Sequence, residues 1–138
     1  MTSAKIARKV AAILSRTARV RALLPMSVED FLSRRTEAEA LILNLLLALQ
    51  DCSDLAMHVV SDRGLGVPGE AREAFRLIGE NGVVAIALAS RLAGAVGLRN
   101  RIAHQYAELD LARVYRAARD DLADLDGFAG AVATAYDL

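Results

Sequence analysis

The stretch Leu41-Ile42-Leu43-Asn44-Leu45-Leu46-Leu47-Ala48-Leu49 is apolar at every position except Asn44. Such a run is either part of a membrane span or part of a helix that needs neighbours on several sides. A span takes about 20 largely apolar residues. Asn44, Gln50, Asp51, Asp54 and His58 interrupt positions 40–60, so the membrane reading is rejected. What remains is a helix at the centre of a helical bundle, or one that turns a face to a second copy of the chain.

The flanks fit that reading. Upstream, Ser27 with Asp30 resembles a capping box, which starts the long helix near Val28 and carries it to about Ser61. Before it, Ile6, Val10, Ile13, Thr17, Val20 and Leu24 recur at helical spacing, and Pro25 closes that first helix. Downstream, Arg63-Gly64-Leu65-Gly66-Val67-Pro68-Gly69 reads as a loop, followed by a short helix from Glu70 to Glu80 that Asn81-Gly82 breaks. A further helix is predicted from Val83 to about Tyr106, and a fifth from Leu109 to Leu125. Gly127 and Gly130 loosen the tail, where Phe128, Val132 and Tyr136 dock as a final turn. The expected fold is all-α, an up-and-down bundle of four to five helices in one domain over residues 1–138.

Composition agrees and narrows the function classes. At 138 residues, with 54% hydrophobic and 25% charged residues, the chain suits one globular domain. Only 4% of residues are aromatic, so the core must be built from Leu, Ala, Val and Ile. A net charge of zero gives no global argument for nucleic acid. Locally, Lys5, Arg8, Lys9, Arg16, Arg19 and Arg21 precede any acid. A second basic stretch holds Arg91, Arg99, Arg101, Arg113, Arg116 and Arg119, and Asp120, Asp121, Asp124 and Asp126 then balance it. Such runs are mostly solvated faces. Cys52 is the single cysteine, which excludes an internal disulfide and a cysteine zinc site and points to the reducing cytoplasm. The acid-poor start has the composition of a transit peptide, but its apolar residues continue the bundle pattern and read as a core helix.

Chemistry concentrates in Gly97-Leu98-Arg99-Asn100-Arg101-Ile102-Ala103-His104-Gln105-Tyr106. Asn100 and His104 lie one helical turn apart on one face, and Arg99 and Tyr106 two turns apart on a neighbouring stripe. Gly94 and Gly97 keep the approach free of bulk, so that another backbone could come close. Arginine can grip a phosphate and stabilise charge in a transition state. Histidine titrates near neutrality and can take the proton of an RNA 2′-hydroxyl or give one to the leaving oxygen. Asn100 would orient the imidazole or bind the phosphate. Neither a metal nor a cofactor is required. One histidine is too few for both acid and base, and a two-fold dimer would supply the second. The rival reading is that Arg and His near a helix end only cap carbonyls. Spacing alone leaves both readings open.

Elsewhere the bland readings prevail. Asp54 and His58, at i,i+4, offer too few ligands for zinc and read as an ion pair. Cys52 reads as a small core residue, and Tyr115 and Tyr136 as packing residues.

The pattern Arg99-x4-His104-x-Tyr106, with Asn100 after the arginine, resembles the signature of HepT proteins in the HEPN superfamily. Ala48 to His58 is similar to that family's second-helix segment, Gly66-Val67-Pro68 and Glu73-Ala74-Phe75 to its loop and third helix, and Gly97-Leu98-Arg99-Asn100 to its approach to the active site. The match covers residues 28–126. The resemblance implies a helical homodimer with two motifs facing a shared cleft, acting as a metal-independent toxin ribonuclease on RNA. It also implies a minimal nucleotidyltransferase of the MntA type as antitoxin, which transfers AMP to the motif tyrosine. On that carry-over Arg99 and His104 are catalytic, Asn100 assists and Tyr106 is the modified residue; Arg101 and Gln105 sit at variable positions. HEPN-like domains also serve as non-catalytic nucleotide- or partner-binding modules of nucleotidyltransferases, the alternative to be weighed.

Overall fold

The spacing of apolar residues sets the elements. A computed structural model describes residues 2–138, and every regular element in that span is a helix. Helix α1 (Thr2–Leu23) buries Ile6, Val10, Ile13, Thr17 and Val20 along one stripe. Thr17 occupies a core position because its hydroxyl is satisfied: it donates to Asp126 Oδ1 at 2.6 Å, with Leu14 O at 3.1 Å as a second acceptor.

Helix α3 (Arg35–Arg63) is the central rod. Among the described residues it alone is long and apolar enough to cross a bilayer. Here α1, α4, α5 and α7 cover it, burying Leu41, Ile42, Leu45, Ala48, Leu49, Leu55 and Val59. Leu43 stays about half exposed at 53%. Each fully buried Leu or Ile contributes about 1.5–3 kcal/mol relative to exposure.

Four long helices, α1, α3, α5 (Ile86–His104) and α7 (Leu122–Ala135), close a ring in which each packs on the next. Leu88 lies over Gly127 and Arg91 binds Asp124, so α5 and α7 run antiparallel. The short helices α2 (Val28–Ser33), α4 (Ala71–Glu80) and α6 (Leu111–Asp120) brace the ring.

Helix boundaries differ from the expected ones at several points. The long second helix is two helices, because Arg34 leaves helical geometry at φ −105°, ψ 77°. That bend sends Phe31 into the core against Tyr115, ring centroids 5.6 Å apart. The helix expected from Val83 begins at Ile86. Gly82, at φ +75°, reverses the chain, and the Val83 N–H closes on Ile78 O at 2.9 Å, so Val84 drops into the core before α5 starts. The fifth helix stops at Asp120 rather than Leu125. Finally, the tail is the full helix α7: Leu122, Leu125, Phe128, Ala129 and Val132 are buried at 3–4 residue spacing, which outweighs the weak propensity of Gly127 and Gly130.

Candidate active site

Helix α5 ends at His104, and its final turns hold Arg99, Asn100 and His104. Leu98 and Ile102 are buried and anchor this end of the helix to the bundle. Helical geometry then turns Asn100 and His104, one turn apart, to the exposed side. Arg99 is partly buried, and its Nη1 donates to Asn100 Oδ1 at 3.1 Å. The amide oxygen thus holds the guanidinium.

Tyr106 is placed differently from the helical expectation. Gln105, at φ −133°, leaves the helix, and Tyr106–Glu108 forms a single 3-10 turn. The tyrosine therefore does not continue the helical stripe of Arg99; it stands on the turn beyond His104, 48% exposed. Both ends of that turn are pinned. The Gln105 N–H closes on Arg101 O at 2.9 Å, and Asp110 caps α6 by accepting from the Arg113 N–H at 3.2 Å. Helix α6 is fixed in turn by buried Val114, Tyr115 and Ala118, and the Tyr115 hydroxyl donates to Pro25 O at 2.9 Å. The chain must leave the helix at His104 to reverse and seat that face.

Beside the motif, a cleft of about 650 Å³ lies between α3, α5, α6 and α7. Leu45, Leu49, Leu98 and Leu125 contribute its apolar lining, and Arg101 its contact with the motif segment; Arg99, Asn100, His104 and Tyr106 are not among its walls. Its charges are unevenly matched. Asp124 binds Arg91 at 3.1 Å and Asp120 binds Arg119 at 2.8 Å. The hydrogen bond from Arg119 holds the Asp120 carboxyl below its usual range. Asp121 goes the other way, pushed up by burial and then by the charges of Asp124 and Asp120. Arg101, Arg113 and Arg116 line the same cleft and pair with no carboxylate among the described residues.

Gly97 has a use the spacing did not disclose. No backbone comes close over it; the guanidinium groups of Arg72 and Arg101 do, at 3.2 and 3.5 Å from where its β-carbon would stand. Arg72 was not legible as a site residue, because α4 brings it there through tertiary packing on α5.

The remaining candidates settle simply. Lys9 bridges Asp51 and Asp54 at 3.5 and 3.6 Å, so Asp54 pairs with lysine rather than with His58, whose Nε2 is enclosed without a partner. Cys52 is a core residue; burial, reinforced by Asp51 and Asp126, pushes its thiol far up from its ordinary value. The Tyr136 hydroxyl donates to Asp62 at 2.6 Å. Among the described residues no three His, Cys, Asp or Glu side chains converge to hold a metal ion.

Comparison with known proteins places this geometry in a family. A family model described as ribonuclease HepT-like matches residues 13–132. The mRNA nuclease HepT of Shewanella oneidensis is 34% identical over 93 residues, 67% of this chain and 70% of that protein. The tRNA nuclease HepT of Aphanizomenon flos-aquae is 33% identical over 94 residues, 67% of this chain and 63% of that protein. Among solved structures, the tri-AMPylated Shewanella oneidensis HEPN toxin in complex with MNT antitoxin superposes with a TM-score of 0.84 at 29% identity, over 94% of this chain and 96% of that one.

Proposed function

The chain belongs to the HepT-like ribonuclease family, and from that premise we propose that it is the toxin ribonuclease of a toxin–antitoxin pair, cutting RNA without a metal. The observation that carries the reading is the end of α5. Arg99 is held by Asn100, and Asn100 and His104 face solvent together on one side of an otherwise anchored helix.

The chemistry follows from the groups. The 2′-hydroxyl of the RNA attacks the neighbouring phosphorus, and the 5′-oxygen leaves. His104 accepts the hydroxyl proton or supplies one to the leaving oxygen. Arg99 binds the phosphate and stabilises its growing negative charge, with Asn100 keeping the guanidinium aimed. A homodimer supplies the second histidine; the exposed motif and the half-exposed Leu43 on α3 support that assembly. The proposed partner is an MntA-like minimal nucleotidyltransferase. It transfers AMP from ATP to the Tyr106 oxygen, releasing pyrophosphate and setting an anion and an adenosine on the turn just beyond His104. We place the pair in the cytoplasm, where the lone Cys52 remains reduced.

RNA cleavage by His104→Ala tests the mechanism. Loss of general acid–base help lowers the rate by about 10²–10⁴-fold, while the exposed position leaves the helical circular dichroism signal and Tm unchanged. Wild-type cleavage persists in EDTA. A wild-type rate in the variant, or cleavage stopped by the chelator, would falsify this mechanism.

A further inference from the structure

We infer that Arg72 and Arg101, seated together over Gly97, form a phosphate subsite that holds the RNA backbone next to the motif. The inference rests on the ribonuclease reading and extends it to residues outside the signature. Two guanidinium groups from different helices, α4 and α5, approach one point above the bare backbone of Gly97, at 3.2 and 3.5 Å. Neither pairs with a carboxylate among the described residues. Like charges brought together without a counter-ion repel, and an anion between them turns that repulsion into attraction. Arginine forks suit a phosphate, which offers several acceptor oxygens to two donors at once.

Position argues for RNA as the source of that phosphate. Gly97, Asn100, Arg101 and His104 fall on one broad side of α5, and Gly97 lies only about 10 Å of helix rise from His104. A strand with one phosphate at His104 runs along this side onto the subsite. Arg101 then leads into the cleft, where Arg113 and Arg116 are likewise unpaired among the described residues; of its four carboxylates, Asp120 and Asp124 are occupied by Arg119 and Arg91, Asp110 caps α6, and Asp121 alone has no partner among the described residues. The glycine leaves room for the seat, since a β-carbon at position 97 would press on the Arg72 guanidinium at 3.2 Å and touch that of Arg101 at 3.5 Å.

The test measures binding of a single-stranded oligoribonucleotide over a salt series, using the full chain carrying His104→Ala so that the probe stays intact. Arg72→Gln and Arg101→Gln each weaken binding, equally for different RNA sequences, and flatten the plot of log affinity against log salt by about 0.7 for each phosphate no longer neutralised. With His104 restored, each raises KM for RNA while kcat stays within about twofold. Arg8→Gln, the same charge change at an exposed position of α1, which packs on the α3 side of the bundle, leaves slope and KM unaltered. An unchanged slope and KM in both variants, or an equal effect of Arg8→Gln, overturns the subsite and leaves the ribonuclease reading standing. No RNA bound by any form, together with no cleavage by the wild type, overturns both.

Discussion

At the residue scale, the three tyrosines differ in what their hydroxyls are doing. Tyr115 is 4% exposed and its hydroxyl donates to Pro25 O; that of Tyr136 donates to Asp62. Tyr106 is half exposed on the turn after His104, and its hydroxyl is engaged by no described residue. A modifying enzyme needs an accessible phenol that loses no bond when it reacts, and Tyr106 alone offers one. Incubation with the cognate nucleotidyltransferase and ATP should therefore add AMP at Tyr106, located by peptide mass spectrometry. Tyr106→Phe should keep its Tm and its RNase activity and escape neutralisation. AMP found first on Tyr115 or Tyr136 would defeat this assignment.

At the scale of elements, the site depends on where α5 is set, and α4 sets its start. Gly79 is buried, and a β-carbon there would come within 2.7 Å of Ala89 Cβ. Real β-carbons do not approach so closely, and neither atom belongs to a flexible chain that could swing aside. Alanine is the better helix former by about 1 kcal/mol, yet overpacking of this kind costs about 1–3 kcal/mol. Gly79→Ala should thus lower stability in urea unfolding instead of raising it. A gain close to the full propensity difference would mean that the α4–α5 contact is looser than described. The same contact carries Arg72 towards Gly97, so the variant should also raise KM for RNA.

On the scale of the whole molecule, the motif lies open on the surface of one chain. Asn100, His104 and Tyr106 are exposed, and the neighbouring cleft is walled by other residues. Transesterification needs a proton acceptor and a proton donor, and each chain brings one motif histidine. The proposed two-fold assembly should bury more than about 1,200 Å² in total and be dimeric at micromolar concentration by light scattering. Leu43→Glu would place a charge on the half-exposed side of α3 and should shift that equilibrium towards monomer, with cleavage falling in parallel. A wild-type monomer that cuts RNA at full rate would contradict the shared-cleft arrangement.

The helical class, the punctuation at Pro25 and Asn81-Gly82, and the clustering of Arg99, Asn100 and His104 were legible in the sequence, because 3–4 residue periodicity and turn chemistry act over short distances. Even the central α3 could be recognised from Leu41 to Leu49, since so apolar a helix requires neighbours. Tertiary structure alone decided the rest. It bent the chain at Arg34 so that Phe31 could reach Tyr115, and it held Gly127 and Gly130 in a helix because Phe128 packs on Phe75 at 5.5 Å. It also took Tyr106 off the helical stripe so that α6 could turn back onto the bundle, and it brought Arg72 over Gly97. In each case burial of side chains from distant segments outweighed local preferences of about 1 kcal/mol or less per residue. Local sequence therefore specified which residues share a helix, and packing specified where helices end and which side chains meet.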